Sequence, residues 1–252
     1  MLIPPAGEMS DAARQRSGHR CIMDPRATPE PVSIQAGAVK LHGLLRLPPT
    51  ASSVILFAHG SGSGRLSPRN TLVAERLQQA GIATLLLDLL TAKEEEVDAV
   101  TLELRFDIPL LTTRLAAATE WTLKQRPLRD LAVGYFGAST GAAAALAAAA
   151  QTPEVSAVVS RGGRPDLAGP ALSRVRAATL LIVGGNDTQV LALNQDALRE
   201  LRCEKELAVV PGATHLFVEP GALEQVTTLA TAWFNRYARP RSAASPAVSG
   251  PE

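Results

Sequence analysis

A serine between two glycines, in Gly137-Ala-Ser139-Thr-Gly141, is the part of this sequence with the clearest chemistry. The apolar segment 131–136 before it predicts a buried strand, and the alanine-rich segment 142–150 after it predicts a helix. A sharp turn from strand to helix needs glycines, because the backbone passes close to itself. The turn exposes the serine hydroxyl at a helix N-terminus, where N–H groups can stabilise a developing oxyanion. The pattern therefore predicts that Ser139 is the nucleophile of an acyl-transfer reaction.

A serine hydroxyl is a weak nucleophile until a base takes its proton, and an acid usually orients that base. Asp187 and His215 each follow a predicted strand, Asp187 in the segment 184–187 and His215 in a turn after residue 210. Catalytic residues of open parallel sheets lie on loops at the carboxyl ends of the strands. We therefore expect Asp187 as the acid and His215 as the base beside Ser139.

A glycine-rich loop, His59-Gly-Ser-Gly-Ser-Gly, follows the apolar run 53–58. It is not a P-loop, because no Gly-Lys-Ser/Thr follows, and Arg65 stands where a dinucleotide fingerprint needs its third glycine. No second histidine or acid lies at ligand spacing from His59 in the sequence, so no metal site is predicted. We interpret His59 as a structural histidine that holds the loop. The competing assignment makes His59 the base, with Asp166 or Asp196 as the acid.

Together these segments resemble the α/β-hydrolase superfamily, and more narrowly the small, capless dienelactone-hydrolase-like hydrolases. The resemblance covers about residues 32–237. In that superfamily the triad runs serine, acid, histidine along the chain. His215 is the one histidine of the four that follows Ser139. The resemblance therefore implies the triad Ser139, Asp187 and His215.

The resemblance also implies an oxyanion hole made of backbone N–H groups. One belongs to Thr140, the residue after the nucleophile, and the other to the loop after the third strand, with Ser61 and Gly62 as candidates. Dienelactone hydrolase itself uses a cysteine nucleophile, whereas this elbow holds Ser139, so acyl transfer is implied but a dienelactone substrate is not. Some members of a similar bacterial subgroup, whose substrate is unassigned, are fused to phosphoribosyltransferase-like domains. The segments that are similar to this subgroup are 63–70, 87–91 and 105–108.

Strand and helix patterns alternate between residues 31 and 238, which we expect to form one hydrolase domain. The patterns at 32–36 and 39–47 predict a hairpin, and later strands are each followed by a helical pattern, including one within 94–124. We therefore expect the α/β-hydrolase fold, with a mostly parallel sheet of about seven or eight strands and helices on both faces. Residues 160–179 leave room for one short helix, so no cap domain is expected.

The composition limits the partners and the compartment. The 252 residues are 46% hydrophobic, enough for one sizeable core, and a net charge of +1 argues against nucleic acid or membrane as the main partner. The two cysteines, Cys21 and Cys203, form no C-x-x-C pattern, and we expect free thiols in the cytoplasm. Neither a secretory signal nor a membrane span is predicted. Residues 1–30 and 239–252 have linker composition, which predicts a mobile arm and a disordered tail.

Arginines in two loops are candidates for substrate contacts. Arg161 and Arg164 follow the sixth predicted strand, with two glycines between them. Their side chains could hold a substrate carboxylate or phosphate by charge-assisted hydrogen bonds. Arg65 and Arg69, after the third strand, have the same two interpretations. The alternative is a solvated loop in which an arginine pairs with an acid such as Asp166.

The expected function is a serine hydrolase that cleaves a carboxylic ester, lactone or thioester through an acyl-enzyme on Ser139. No metal and no cofactor are expected, and the partner is a small-molecule ester. A homodimer stays open, because a second subunit could shape a site without a lid. Two alternatives remain: an idle binding or partner module with the same fold, and an acyltransferase or perhydrolase that uses the same triad.

Overall fold

The computed structural model describes residues 29–60 and 62–239. Its strands are β1 (Glu30–Ala36), β2 (Val39–Arg46), β3 (Ser53–Ala58), β4 (Ala83–Leu87), β5 (Ala132–Ala138), β6 (Val155–Arg161), β7 (Ala178–Gly184) and β8 (Lys205–Val210). Its helices are α1 (Pro68–Gln79), α2 (Ala92–Thr101), α3 (Ile108–Lys124), α4 (Thr140–Ala149), α5 (Thr188–Glu200) and α6 (Ala222–Tyr237). There are also 3₁₀ segments at Leu104–Phe106 and Pro165–Arg174.

Within these described ranges the eight strands form one sheet, in the order β1-β2-β4-β3-β5-β6-β7-β8. β2 pairs antiparallel with β1 and β4, and all other pairs are parallel. Every residue of β3, β4, β5 and β7 is buried, as expected for parallel strands covered on both faces. The predicted hairpin and mostly parallel sheet are confirmed. Only the 3₁₀ segment Pro165–Arg174 connects β6 to β7, so no cap domain is inserted there.

Helices cover the sheet on both faces and enclose two apolar clusters. α3, α4 and α5 pack on one face through side chains such as Leu115 and Leu146. α1 and α6 pack on the other through side chains such as Leu77 and Phe234. None of the helices in the described ranges is long and apolar enough to cross a membrane.

The strand–helix pair β5–α4 lies at the centre of the molecule. All ten residues of α4 are buried, and seven of them between 142 and 149 are alanines, whose small side chains allow close packing on the sheet. The buried Tyr135 hydroxyl lies 2.6 Å from Thr119 Oγ1 on α3. The rings of Phe57 and Phe136 stack at 4.9 Å between β3 and β5. These contacts anchor β5, the strand that leads into the turn, on both faces of the sheet.

The predicted N-terminal arm and C-terminal tail lie outside the described residues, apart from Pro29, Glu30 and Arg239. Glu30 begins β1, so the sheet starts one residue earlier than the predicted domain boundary. The domain limits at 31 and 238 otherwise stay a proposal.

Candidate active site

Ser139 lies in the turn between β5 and α4 with φ 51° and ψ −122°. Non-glycine residues rarely adopt a positive φ, and backbone strain of this kind clusters at functional sites. The flanking glycines permit close packing: a Cβ on Gly137 would lie 2.5 Å from Ala142 Cα, and one on Gly141 would lie 2.3 Å from Ala58 O. The predicted sharp turn from strand to helix is confirmed.

Asp187 and His215 are in direct contact. His215 Nδ1 lies 2.6 Å from Asp187 Oδ2, and the two side chains are 39% and 14% exposed. An ionised carboxylate only accepts hydrogen bonds, so Nδ1 carries the hydrogen and Nε2 is left to accept a proton. Asp187 occupies the N-cap position of α5, but its side chain makes no capping hydrogen bond. The Asp187 carboxylate therefore binds His215 and does not cap α5.

Backbone contacts hold the Asp187 and His215 loops together. The Asn186 amide donates to Ala213 O at 2.9 Å, and its side-chain Nδ2 donates to Gly212 O at 2.9 Å. The Gly185 amide donates to Val210 O at 2.8 Å. These bonds fix the position of Asp187 relative to His215. The contact between the two side chains therefore follows from the backbone of two adjacent loops.

The turn after β6 borders both the serine and the histidine. The Ser139 amide donates to Arg161 O at 3.3 Å, and the Arg164 amide donates to Ser139 O at 3.1 Å. A Cβ on Gly162, where φ is +51°, would lie 3.5 Å from His215 Nδ1. The structure thus gathers Ser139, Asp187 and His215 around one edge of the sheet, in the chain order that the sequence indicates.

The loop after β3 passes close to the elbow. A Cβ on Gly60 would lie 2.9 Å from Ser139 Cβ. Thr140 is the first residue of α4, so its amide is at the helix N-terminus, and Gly62 has a φ of +63°. Thr140, Gly60 and Gly62 line one pocket of about 370 Å³. Ser61, the other predicted oxyanion donor, lies outside the described residues.

His59 is buried and uses both ring nitrogens within the protein. Gly60 O lies 3.0 Å from Nδ1 and can only accept, so Nδ1 donates, while Nε2 accepts from the Leu89 amide at 3.0 Å. Burial lowers the pKa of His59, which favours this neutral ring. The bonds tie the loop after β3 to the end of β4, as expected for a structural histidine. They leave no lone pair on His59 for a proton or a metal ion.

The fold brings two acids to His59 that sequence spacing did not indicate. The candidate ligand atoms of His59, Asp88 and Glu95 lie within 4.8 Å of one another. Asp88 is already engaged, because it forms an ion pair with Arg65 and accepts from the Arg65 amide at 2.7 Å. With the histidine nitrogens also engaged, these donors do not fit a resident metal ion.

The candidate substrate arginines have different surroundings. Arg164 makes two hydrogen bonds with Asp166, at 2.9 and 2.7 Å, and this bonding raises the pKa of Arg164. Arg65 is paired with Asp88. These pairs favour the structural interpretation for both residues. Arg161 is buried, and among the described residues neither its Nε nor its Nη1 has a hydrogen-bond partner.

Asn194 supports the site and carries no motif in the sequence. It is fully buried on α5, and its Nδ2 donates to Gly163 O at 2.9 Å and to Val190 O at 2.8 Å. It therefore holds the turn after β6 against α5. Its position, four residues after Val190 and three before Ala197 on the buried helix face, is the available signal.

A mostly parallel sheet, with the serine elbow after β5 and the Asp–His pair on the loops after β7 and β8, defines an α/β hydrolase. The fold class predicted from the sequence is confirmed. The model of the Dienelactone hydrolase family matches residues 41–238. The chain belongs to that family.

Similar proteins agree on the fold. A dienelactone hydrolase from Anabaena variabilis, known from a crystal structure, is 58% identical, with a TM-score of 0.82 over 84% of this chain and 100% of that chain. Est1E from Butyrivibrio proteoclasticus is 16% identical, with a TM-score of 0.69 over 82% of this chain and 98% of that chain, and shows the fold alone.

A curated protein of Mycobacterium tuberculosis, which carries the provisional name of a phosphoribosyl transferase, is 55% identical over 212 residues. These residues are 84% of this chain but 47% of the relative. The chain therefore spans about half the length of the curated relatives that it matches.

Proposed function

We propose that this hydrolase is a serine esterase that cleaves a carboxylic ester, lactone or thioester through an acyl-enzyme on Ser139. The observation that carries the proposal is the 2.6 Å contact between His215 Nδ1 and Asp187 Oδ2. The strained backbone at Ser139, which lies against the turn after β6 that also borders His215, further supports the proposal. A histidine held by a carboxylate is the arrangement that activates a serine hydroxyl.

The reaction proceeds in two halves. His215 Nε2 takes the proton of the Ser139 hydroxyl while Oγ attacks the acyl carbonyl. The N–H of Thr140, with that of Ser61 or Gly62, stabilises the oxyanion of the tetrahedral intermediate. The protonated His215 then gives its proton to the leaving oxygen or sulfur, and the acyl group stays on Oγ. Water attacks this acyl-enzyme by the same route and releases the acid and Ser139.

Labelling by a fluorophosphonate probe tests the nucleophile. We expect the wild type to be labelled and to hydrolyse p-nitrophenyl butyrate, and Ser139→Ala to lose both properties with an unchanged circular dichroism spectrum. Ser173→Ala, an exposed serine outside the site, is the matched control and should keep both. Labelling of Ser139→Ala at the wild-type level would contradict the assignment.

Turnover of the same ester tests the acid and the base. Asp187→Asn should lower kcat by about 10⁴-fold, because an amide favours the wrong imidazole tautomer. His215→Ala should lose at least as much, and the double variant should be little worse, because the residues act as a unit. Asp196→Asn removes an exposed acid paired with Arg199 and should leave kcat unchanged. A silent Asp187→Asn together with an inactive Asp196→Asn or Asp166→Asn would move the acid elsewhere.

No metal or cofactor takes part in the proposed reaction. Full activity should therefore remain after prolonged chelation and dialysis. A loss that zinc or manganese reverses would contradict this part of the proposal.

The alternatives give different results in the same assays. A wild type that the probe does not label would favour an idle binding or partner module. Esterase activity that an added alcohol or peroxide diverts to a new ester or a peracid would favour an acyltransferase or perhydrolase. The transferase name of the curated relatives belongs to proteins of twice the matched length and is not carried over to this chain.

We also propose a cytoplasmic protein, on the basis of its composition. Within the described residues Cys203 is a free thiol, and cell fractionation tests the location. A homodimer stays part of the proposal as an option, and sedimentation equilibrium decides it.

A further inference from the structure

The pocket of about 370 Å³ beside the elbow contains acids that the proposed reaction does not use. Its wall includes Thr140 and Gly60, and a Cβ on Gly60 would lie 2.9 Å from Ser139 Cβ, so the pocket borders the nucleophile. Another part of the wall is formed by α2 through Glu95 and Asp98, which lie three residues apart on one face of the helix. A substrate group that extends from Ser139 into this pocket would therefore meet the acids of α2.

Two arginines of the pocket wall are each held by an acid of the same wall. Arg65 forms an ion pair with Asp88, whose Oδ1 also accepts from the Arg65 amide at 2.7 Å. Arg105 Nε donates to Asp98 Oδ2 at 2.7 Å, and the Arg105 amide donates to Asp98 Oδ1 at 2.9 Å. The charges of these four side chains therefore cancel within the wall.

Glu95 is the acid of this wall that remains without an ion pair. None of the ion pairs within residues 29–60 and 62–239 involves it. Burial first, and the charge of Asp88 second, raise the pKa of Glu95, and the attraction of Arg65 does not cancel this rise. The neighbouring His59 is neutral and adds no positive charge. The wall therefore has one negative charge in excess, which a cation would stabilise.

An organic cation suits this pocket better than a metal ion does. A metal ion at Glu95 would need lone pairs from His59 and Asp88, and both residues already use theirs within the protein. An ammonium group needs one carboxylate, because its N–H groups donate directly to the oxygens in charge-assisted hydrogen bonds. The Glu95 side chain is exposed, so it is accessible to a ligand from the solvent.

We propose that Glu95 binds an ammonium group carried by the ester substrate, so that the pocket lined by α2 and the loop after β3 selects cationic esters. The proposal rests on the proposed esterase function and names its substrate class. It replaces the anionic substrate that the loop arginines indicated in the sequence, because Arg65 and Arg164 are each held by an aspartate. Glu95 acts on substrate binding and exchanges no proton with the reacting atoms.

Two esters of equal length that differ by one charge test the site. The measured quantity is kcat/KM for p-nitrophenyl 6-aminohexanoate divided by kcat/KM for p-nitrophenyl heptanoate, at about pH 8, where an alkylammonium group keeps its proton. Glu95→Gln should lower this ratio by about 5- to 20-fold, as expected when a partly exposed hydrogen bond between charged groups is lost. Glu96→Gln, the exposed neighbour on α2, is the matched control and should leave the ratio unchanged. An unchanged ratio in Glu95→Gln would overturn the proposal.

A third ester separates recognition of charge from recognition of a hydrogen-bond donor. p-Nitrophenyl 6-hydroxyhexanoate carries a donor without a charge, and Glu95→Gln should lower its kcat/KM relative to that of the heptanoate by less than about threefold. The preference of the wild type for the ammonium ester should also shrink between about 0.05 M and about 1 M sodium chloride, because salt screens charges. An equal loss with the hydroxyl ester, or a preference that salt does not change, would overturn the assignment of a cation.

A binding measurement that needs no turnover separates this proposal from the esterase function. 6-Aminohexanamide should raise the Tm of Ser139→Ala more than the uncharged heptanamide does, and Glu95→Gln in that background should abolish the difference. A Tm difference without hydrolysis of any ester would reject the esterase and keep the cation site. Hydrolysis with neither a Tm difference nor a changed ratio would reject the cation site alone.

Discussion

Two groups of arginines in this hydrolase have different surroundings. Around α2, three arginines each contact an acid: Arg65 with Asp88, Arg105 with Asp98, and Arg114 with Glu94. At the end of β6 and the start of α1, within the described residues, neither Arg161 nor Arg69 forms an ion pair. Both groups consist of arginines, and they differ in whether an acid pairs with each arginine.

The difference indicates what each group of arginines does. Arg114 makes hydrogen bonds of 2.6 and 2.5 Å with Glu94 and also donates to Leu89 O at 2.8 Å, so its charge fixes α2 against α3 and the end of β4. Arg105 bonds Asp98 at 2.7 Å, and these bonds outweigh burial and lower the pKa of the Asp98 carboxyl. Paired charges of this kind hold neighbouring elements together, whereas an unpaired buried charge contributes no such contact.

Removing the acid from a paired arginine should leave that arginine unpaired and destabilise the protein. Glu94→Gln keeps the size of the side chain and leaves the buried Arg114 without its counter-charge. We expect the free energy of unfolding in urea to fall by about 3 kcal/mol, as for a broken buried pair. Glu96→Gln, on the same helix but exposed and outside the ion pairs of the described residues, should change it by less than about 0.5 kcal/mol. Equal values for the two variants would remove the basis of the comparison.

The same pair should give the protein a measurable pH dependence. Hydrogen bonding from Arg114 holds the pKa of Glu94 at about 2, below its ordinary value of 4.5. A depressed folded-state pKa adds stability that is complete above the unfolded value and is lost as the pH falls through the folded one. The free energy of unfolding of the wild type, measured in urea, should therefore fall as the pH is lowered from about 4.5 to about 2. Glu94→Gln should lose less stability over that interval, and parallel curves would contradict the assignment.

Arg161→Met, unlike Glu94→Gln, should leave the free energy of unfolding unchanged or raise it. Replacement of an unpaired buried guanidinium by an apolar side chain removes a desolvated charge, and we expect a change between zero and about 2 kcal/mol in favour of the folded state. The comparison is sharpest here, because a structural arginine of the same burial would be destabilising to remove. A loss above about 2 kcal/mol in urea unfolding would mean that Arg161 has a partner in solution.

The sequence predicted the parts of the site that follow from strand ends. Ser139 directly follows β5, Asp187 and His215 lie in the loops after β7 and β8, and parallel strands bring their carboxyl ends to one edge. A motif or a hydrophobic run marks each of these positions, so the fold and the placement of the three residues could be predicted. Their catalytic roles stay a proposal, because proximity alone does not measure turnover.

The sequence did not predict contacts between side chains that are distant along the chain. The sequence predicts one helical stretch within 94–124, whereas Glu94 binds Arg114 and completes the capping box of α2 with Thr91. The stretch is two helices, because Leu102 ends α2 in the left-handed region and Asp107 caps α3 by accepting from the Leu110 amide. Such pairings depend on how elements pack, which local patterns do not report.

Arg164→Gln gives the smallest expected effect and tests how much a partly exposed arginine–acid pair contributes to stability. Arg164 lies three residues after Arg161 in the same turn, but its side chain is 35% exposed and paired with Asp166. Partly exposed pairs contribute little, so the free energy of unfolding should change by no more than about 1 kcal/mol. kcat/KM for p-nitrophenyl butyrate should change by less than about twofold, because the Arg164 guanidinium is already held by Asp166. The backbone amide that donates to Ser139 O is retained in this variant. If Arg164→Gln instead destabilised the protein as much as Glu94→Gln does, exposure would not set the strength of an arginine–acid pair, and this prediction would be contradicted.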